Sequence, residues 1–287
     1  MTKIKIEGKM GRHDRRGDEG GGVKRFLSLG AGVQSSTIAL MIARGELPPV
    51  DAAIFSDTHW EPRAVYDWLD WLETQLPFPV HRVSAGNLRD GILESENTTG
   101  GRFATVPWFI TNPDGSAGMG RRQCTSEYKL KPLVREKRRL VGLAHRERAK
   151  RGEVLCETLI GISVDEVFRV KNSDEPWNVN RWPLIDLRMS RWDCLAWMER
   201  HGFPQPPKSS CLGCPFHSNE QWRAIKADPD AWADVLEIDE AIRAPVRGQR
   251  GQQFMHADRR PMSEIDFNAA DSQIDLFNNE CEGMCGL

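Results

Sequence analysis

No apolar run in this chain approaches the roughly 18 residues a membrane span needs, which argues against a membrane-spanning protein. Met1–Gly22 is too polar for a signal peptide: it holds six glycines and ten charged residues. The expectation is a cytoplasmic protein with a disordered leader over residues 1–22. A disulfide framework is also missing. Seven cysteines in such a chain are not a secreted scaffold. Two of them, Cys156 in an apolar run and Cys194 beside Trp197 and Met198, read as small buried hydrophobes. Cys124, Cys211, Cys214, Cys281 and Cys285 lie in Gly-, Ser- or charge-rich contexts and need another explanation. No internal repeat is found.

The chain also lacks an overall charge bias. The net charge is −2 and charged residues make up 28% of an ordinary globular composition. The balance breaks locally. Arg121–Gly152 carries twelve Lys or Arg against three Glu, a net of +9. From Asp258 to the end, seven acidic groups face Arg259 and Arg260. A basic stretch in a neutral chain suits nucleotide phosphates or a nucleic acid, or is a solvated helix face over Arg135–Arg151.

What is present is an alternation of short strands and helices. Lys24–Leu29, Ala52–Phe55 and Pro79–Val83 read as strands, with a helix over Ser35–Arg44 and another opening at Pro62. Short links between them imply a parallel sheet covered by helices. Asn87–Gly120 reads as a long loop or lid, and Leu155–Ile162 as a central strand. Ser190 with Asp193, and Ser218 with Gln221, are capping-box patterns that open helices. A further helix is expected over Asp230–Ile242. The domain reading is a nucleotide-binding unit over 23–216 and a helical extension with a cysteine tail over 217–287.

The first strand runs into Ser28-Leu29-Gly30-Ala31-Gly32-Val33-Gln34-Ser35-Ser36 and then a helix. Small residues at a strand-to-helix turn let backbone N–H groups approach phosphate, and the helix dipole favours the anion. The Lys-Ser/Thr pair of a Walker loop is absent, and so is the third glycine of a dinucleotide fingerprint. Further on, Cys211-Leu212-Gly213-Cys214 has a spacing that lets two thiolates face one metal. A redox dithiol is the other use of that spacing, but Pro206-Pro207 is not the thioredoxin-like setting it wants.

These pieces in this order resemble the PP-loop superfamily and, within it, the phosphoadenosine phosphosulfate (PAPS) reductase family, over roughly Lys24 to Phe216. Gly30–Ser35 occupies the place of the Ser-Gly-Gly-x-Asp-Ser loop. Asp57-Thr58 with Glu61-Pro62 resembles the Asp-Thr-Gly…Pro-Glu segment. Gly161-Ile162-Ser163 with Asp165, Glu166 and Arg169 resembles the Gly-x-Arg…Glu-Ser…Arg segment. Trp182–Asp186 and Gly202-Phe203-Pro204 resemble the stretch before the CxxC. Gln34 stands where ATP pyrophosphatases carry aspartate and is more like the sulfonucleotide reductases. Ser163 replaces an arginine that some relatives have.

The resemblance implies an adenine nucleotide, ATP or PAPS, held by Ser28, Gly30, Gly32, Gln34, Ser35 and Ser36, with Asp57 near the ribose, His59 beside it and Gly161 at the site. Arg121, Arg122 and Lys129 would neutralise its charge. Cys124, in a segment resembling a cysteine–lysine–proline motif of cluster-bearing relatives, would join Cys211, Cys214 and Cys281 on a [4Fe–4S] cluster. Structural zinc, on four cysteines or on three with His217, is the alternative. The Cys285-Gly286-Leu287 end resembles the reductases' Glu-Cys-Gly-Leu tail, whose cysteine attacks sulfur. Two reactions follow: reduction of a sulfonucleotide, with a sulfur or electron donor protein, or ATP-driven sulfur transfer to tRNA or DNA. A nucleotide-sensing module is the third possibility.

Overall fold

The computed structural model describes residues 22–96, 106–244 and 251–268. In chain order come β1 (Lys24–Leu29), α1 (Val33–Ala43), β2 (Ala52–Asp57), α2 (Arg63–Gln75), β3 (Val80–Ser84) and α3 (Leu88–Glu94). Short strands β4 (Phe109–Thr111) and β5 (Ala117–Met119) follow, then α4 (Lys131–Leu140), β6 (Cys156–Ile160) and β7 (Asn178–Arg181). The rest is α5 (Pro183–Asp186), α6 (Arg191–Arg200), α7 (Asn219–Lys226), α8 (Pro229–Arg243) and β8 (Gln252–Phe254). Both capping boxes form, Ser190 with Asp193 and Ser218 with Gln221. Among the described residues no helix is long and apolar enough to cross a membrane.

The larger sheet has the order β3-β2-β1-β6-β7 with every neighbouring pair parallel. This is the α/β architecture the alternation of elements implies. Strand periodicity divides the core. Leu27, Leu29, Ala53, Phe55 and Leu159 face one cluster with α1, α2 and α6, while Phe26, Ala52, Ile54 and Cys156 face another with Leu133 of α4. Helix α1 is buried on all sides from Val33 to Ile42, because the sheet, α2, α5 and α6 surround it. The C-terminal strand ends and the start of α1 thus meet in one buried corner.

A second sheet, β5-β4-β8, is antiparallel. It lies partly inside the expected loop Asn87–Gly120, which also contains α3. Three-residue strands carry too little periodicity to announce themselves, and β8 comes from far along the chain. The strand β7 escapes a sequence reading because Asn178 and Asn180 turn into a buried polar network where apolar residues are expected. The basic helix is shorter than Arg135–Arg151, ending at Leu140 before Gly142 at φ 78°. Helices α7 and α8 share a core with Trp60, Trp108, Tyr128 and Cys211.

Candidate functional site

The turn from β1 into α1 closes on its own side chains. Gly30 N–H donates to Ser35 Oγ at 3.1 Å, and that hydroxyl donates to the Gly32 carbonyl at 3.4 Å. Gly32 caps α1 in an extended conformation. The left-handed residue is Ala31, at φ 58°, a conformation that costs a non-glycine residue roughly 1–2 kcal/mol. Gly161, just past β6, has no room for a side chain: a Cβ there would lie 2.8 Å from the Ser35 nitrogen. The β6 turn therefore rests directly on the first turn of α1.

Two loop residues are engaged elsewhere. The Ser36 hydroxyl accepts from the Trp68 indole at 3.0 Å. Gln34, 1% exposed, donates to Ser163 Oγ at 3.4 Å and Glu166 Oε2 at 3.1 Å while its carbonyl accepts from Arg191 at 3.2 Å. Arg169 pairs with the same Glu166 at 2.6 Å. Burial nonetheless pushes the Glu166 carboxyl above its ordinary range and Arg191 below its own. Asp57 accepts from the Tyr66 hydroxyl at 2.9 Å and the His59 N–H at 2.7 Å, and His59 sits at φ 55°. That fixes the end of β2.

Two small cavities open beside this corner. Ser28, Gly30, Ser56, Glu61, Lys129 and Ser209 line a slot of about 10 Å³. Thr58, Arg122, Cys124, Lys129, Cys211 and Cys214 line a second of about 30 Å³. Lys129 belongs to both. Its turn is held to β2 by Ser56 Oγ, which donates to the Lys129 carbonyl at 2.8 Å. The Arg122 guanidinium lies over the Phe216 ring at 4.6 Å. Arg121 lines neither cavity. No chemical role for Glu61 or Ser209 is legible in the sequence; only the resemblance of Glu61-Pro62 to a family motif points at the first.

Three of the expected cysteine ligands, Cys124, Cys211 and Cys214, line one cavity. Cys211 is buried, its sulfur 3.3 Å from Thr58 Oγ1 and 3.4 Å from Glu61 Oε1. Burial first and Glu61 second push its thiol well above the ordinary range. Soft thiols beside Lys129 and Arg122 are suitable donors for a thiolate-liganded centre. Yet among the described residues no group of three or more Cys, His, Asp or Glu is placed to hold a metal ion. As arranged, the described cysteines do not by themselves make a site for the group. His217 Nε2 lies 2.9 Å from the Cys211 carbonyl and its Nδ1 3.4 Å from Ser210 Oγ. Cys281 and Cys285 lie outside the described residues.

No family model matches the chain, and no curated protein matches it either. A solved structure of phosphoadenylyl-sulfate (PAPS) reductase from Candida auris, in complex with phosphate, is similar to 64% of this chain and 75% of its own at 14% identity and a TM-score of 0.42. A likeness at that level assigns no substrate and no activity.

Proposed function

We propose that this chain is an adenine-nucleotide-binding enzyme of sulfur chemistry that reduces a sulfonucleotide, as the resemblance to PAPS reductases implies. One observation carries the reading. The slot at the phosphate-binding type of turn and the cysteine cavity adjoin at Lys129. A nucleotide whose phosphate lay at Ser28, Gly30 and Ser35 would direct its distal anion toward Lys129, Arg122 and the thiols. The slot has room for about one water-sized group, so ribose and base would lie along the strand ends beside Asp57 and Gly161.

The chemistry is a displacement at sulfur. A thiolate, assigned to Cys285, attacks the sulfonucleotide sulfur; the sulfur–oxygen bond to phosphate breaks and the nucleotide leaves with that electron pair. A thiol donor protein then attacks the sulfocysteine, forms a disulfide and releases sulfite. Lys129 and Arg122 offset charge on the departing phosphate. The finer assignment of a [4Fe–4S] cluster, or zinc, to Cys124, Cys211, Cys214 and Cys281 rests on the resemblance, and no step is routed through it.

A second reading is ATP-driven sulfur transfer to a nucleic acid, favoured by the +9 segment Arg121–Gly152. The full chain, purified without air, decides between them. Sulfite release from PAPS supports reduction, and pyrophosphate release from ATP supports sulfur transfer. Binding of either nucleotide without turnover would leave a sensing module.

A further inference from the structure

A larger cavity, about 220 Å³, lies between α4 and the strands β6 and β7. It shares Leu130 and Leu133 with the wall of the nucleotide slot. Leu130, Leu133, Val134 and Ile160 give it an apolar wall, and Lys137, Thr158 and Asn178 a polar one. Lys137 is 4% exposed. Among the described residues its ammonium makes one hydrogen bond, to Thr158 Oγ1 at 3.1 Å, and no ion pair. An ammonium has three protons to place, and an isolated buried charge is costly unless it is paired. The Trp177 ring, 6.0 Å away, offers a weak contact only.

Other acceptors in the wall are taken. Thr158 gives its own proton to Asn178 Oδ1 at 2.6 Å, and Asn178 bonds Ser173 and Asn180 at 2.9 Å each. Glu175 accepts from the Trp177 indole at 2.7 Å, and Asp174 pairs with Lys171 at 3.1 Å. Lys131 pairs with Glu127. Among the described residues Lys137 is thus a buried cation of this wall with no ion pair, Glu175 acting on it only by longer-range attraction. Its burial lowers the ammonium's pKa to about 8, so it remains mostly charged near neutrality.

We propose that this cavity is a binding site for a small organic monocarboxylate, its carboxylate on Lys137 and its apolar body against Leu130, Leu133, Val134 and Ile160. A monoanion is specified because Asp174 and Glu175 in the same wall would repel a phosphate dianion. The size is right for a ring of benzene's dimensions with one head group, since a cavity of about 150 Å³ accepts benzene.

Benzoate is the probe, titrated into the full chain by calorimetry and by NMR of labelled methyl groups. Saturable binding is expected, with shifts at Leu133, Val134 and Ile160. Lys137→Met keeps the side chain's length without its charge and should weaken binding by roughly tenfold or more, the scale of a lost hydrogen bond to a charged group. Val134→Phe fills the cavity while leaving Lys137 in place and should abolish binding. Inorganic phosphate should compete poorly. No saturable binding of benzoate, equal affinity in the Lys137→Met protein, or tighter binding of phosphate than of benzoate would each overturn the proposal. Failure here leaves the nucleotide reading untouched, because that reading is tested by sulfite and pyrophosphate release.

Discussion

Lys129 Nζ lies 3.4 Å from Glu61 Oε1, with the two side chains 11% and 1% exposed. The pair stands where the nucleotide slot meets the cysteine cavity. Glu61 Oε1 also lies within reach of Thr58 and Cys211, whereas its Oε2 is buried with no hydrogen-bond partner among the described residues. Removing the lysine leaves a carboxylate buried without a cation. Lys129→Met should therefore lower stability by about 3 kcal/mol, read by urea unfolding, and remove turnover. Lys129→Met with Glu61→Gln should recover most of the stability but not the activity. A Lys129→Met protein as stable as the parent would show that the pair contributes nothing to the fold.

How much of this was legible beforehand varies by residue. The parallel sheet, α1, α2 and both capping boxes follow from apolar periodicity and local hydrogen-bonding chemistry, which act within a few residues. The convergence of Lys129 with Cys124, Cys211 and Cys214 followed from motif order. Glu61 beside Cys211 is a contact across 150 positions, and no local pattern marks it. The commitment of Gln34 to Glu166 and Arg191 was equally hidden, since a loop motif gives no direction to a side chain. The sequence emphasised Gly30 and Gly32, while the left-handed residue of the turn is Ala31.

Gly161 sets the contact between the β6 turn and α1. A Cβ would stand 2.8 Å from the Ser35 nitrogen and 3.1 Å from its Cα, both backbone atoms that cannot swing aside. Gly161→Ala should push the first turn of α1 out of register with the loop and weaken adenine-nucleotide binding, read by calorimetry. The α/β core should persist by circular dichroism. Unchanged affinity in a folded variant would separate this turn from the nucleotide site.

Gln34 accepts from Arg191 and donates to Glu166, a dual role that a carboxylate cannot fill. Gln34→Glu places two acids together in a buried corner. Glu166 already has a raised pKa; a group raised on folding binds more protons in the native state, so its contribution falls as pH rises above the unfolded value. The variant should be destabilised more at pH ~8 than at pH ~5. Denaturant midpoints at the two values check this, and a deficit that shrank toward high pH would contradict it.

The cysteines can be sorted by alkylation of the native chain followed by mass spectrometry. Burial pushes the Cys156 and Cys194 thiols to about 11 and about 12, and Cys211 well above its ordinary range. A protonated, inaccessible thiol is a poor nucleophile, so these three should stay unlabelled near neutral pH. Cys124 is only partly buried and should react first among the described cysteines. Iron or zinc on the cysteine cavity would reverse that last expectation, because a coordinated thiolate is protected until a chelator removes the metal. Protein purified without air therefore gives two separable outcomes. Prompt labelling of Cys124, with neither metal present in stoichiometric amount, would leave thiol chemistry alone at Lys129. Labelling of Cys124 only after chelation, with Cys211→Ser losing the metal, would mean that the cavity opens to accept a centre with Cys124, Cys211 and Cys214 among its ligands.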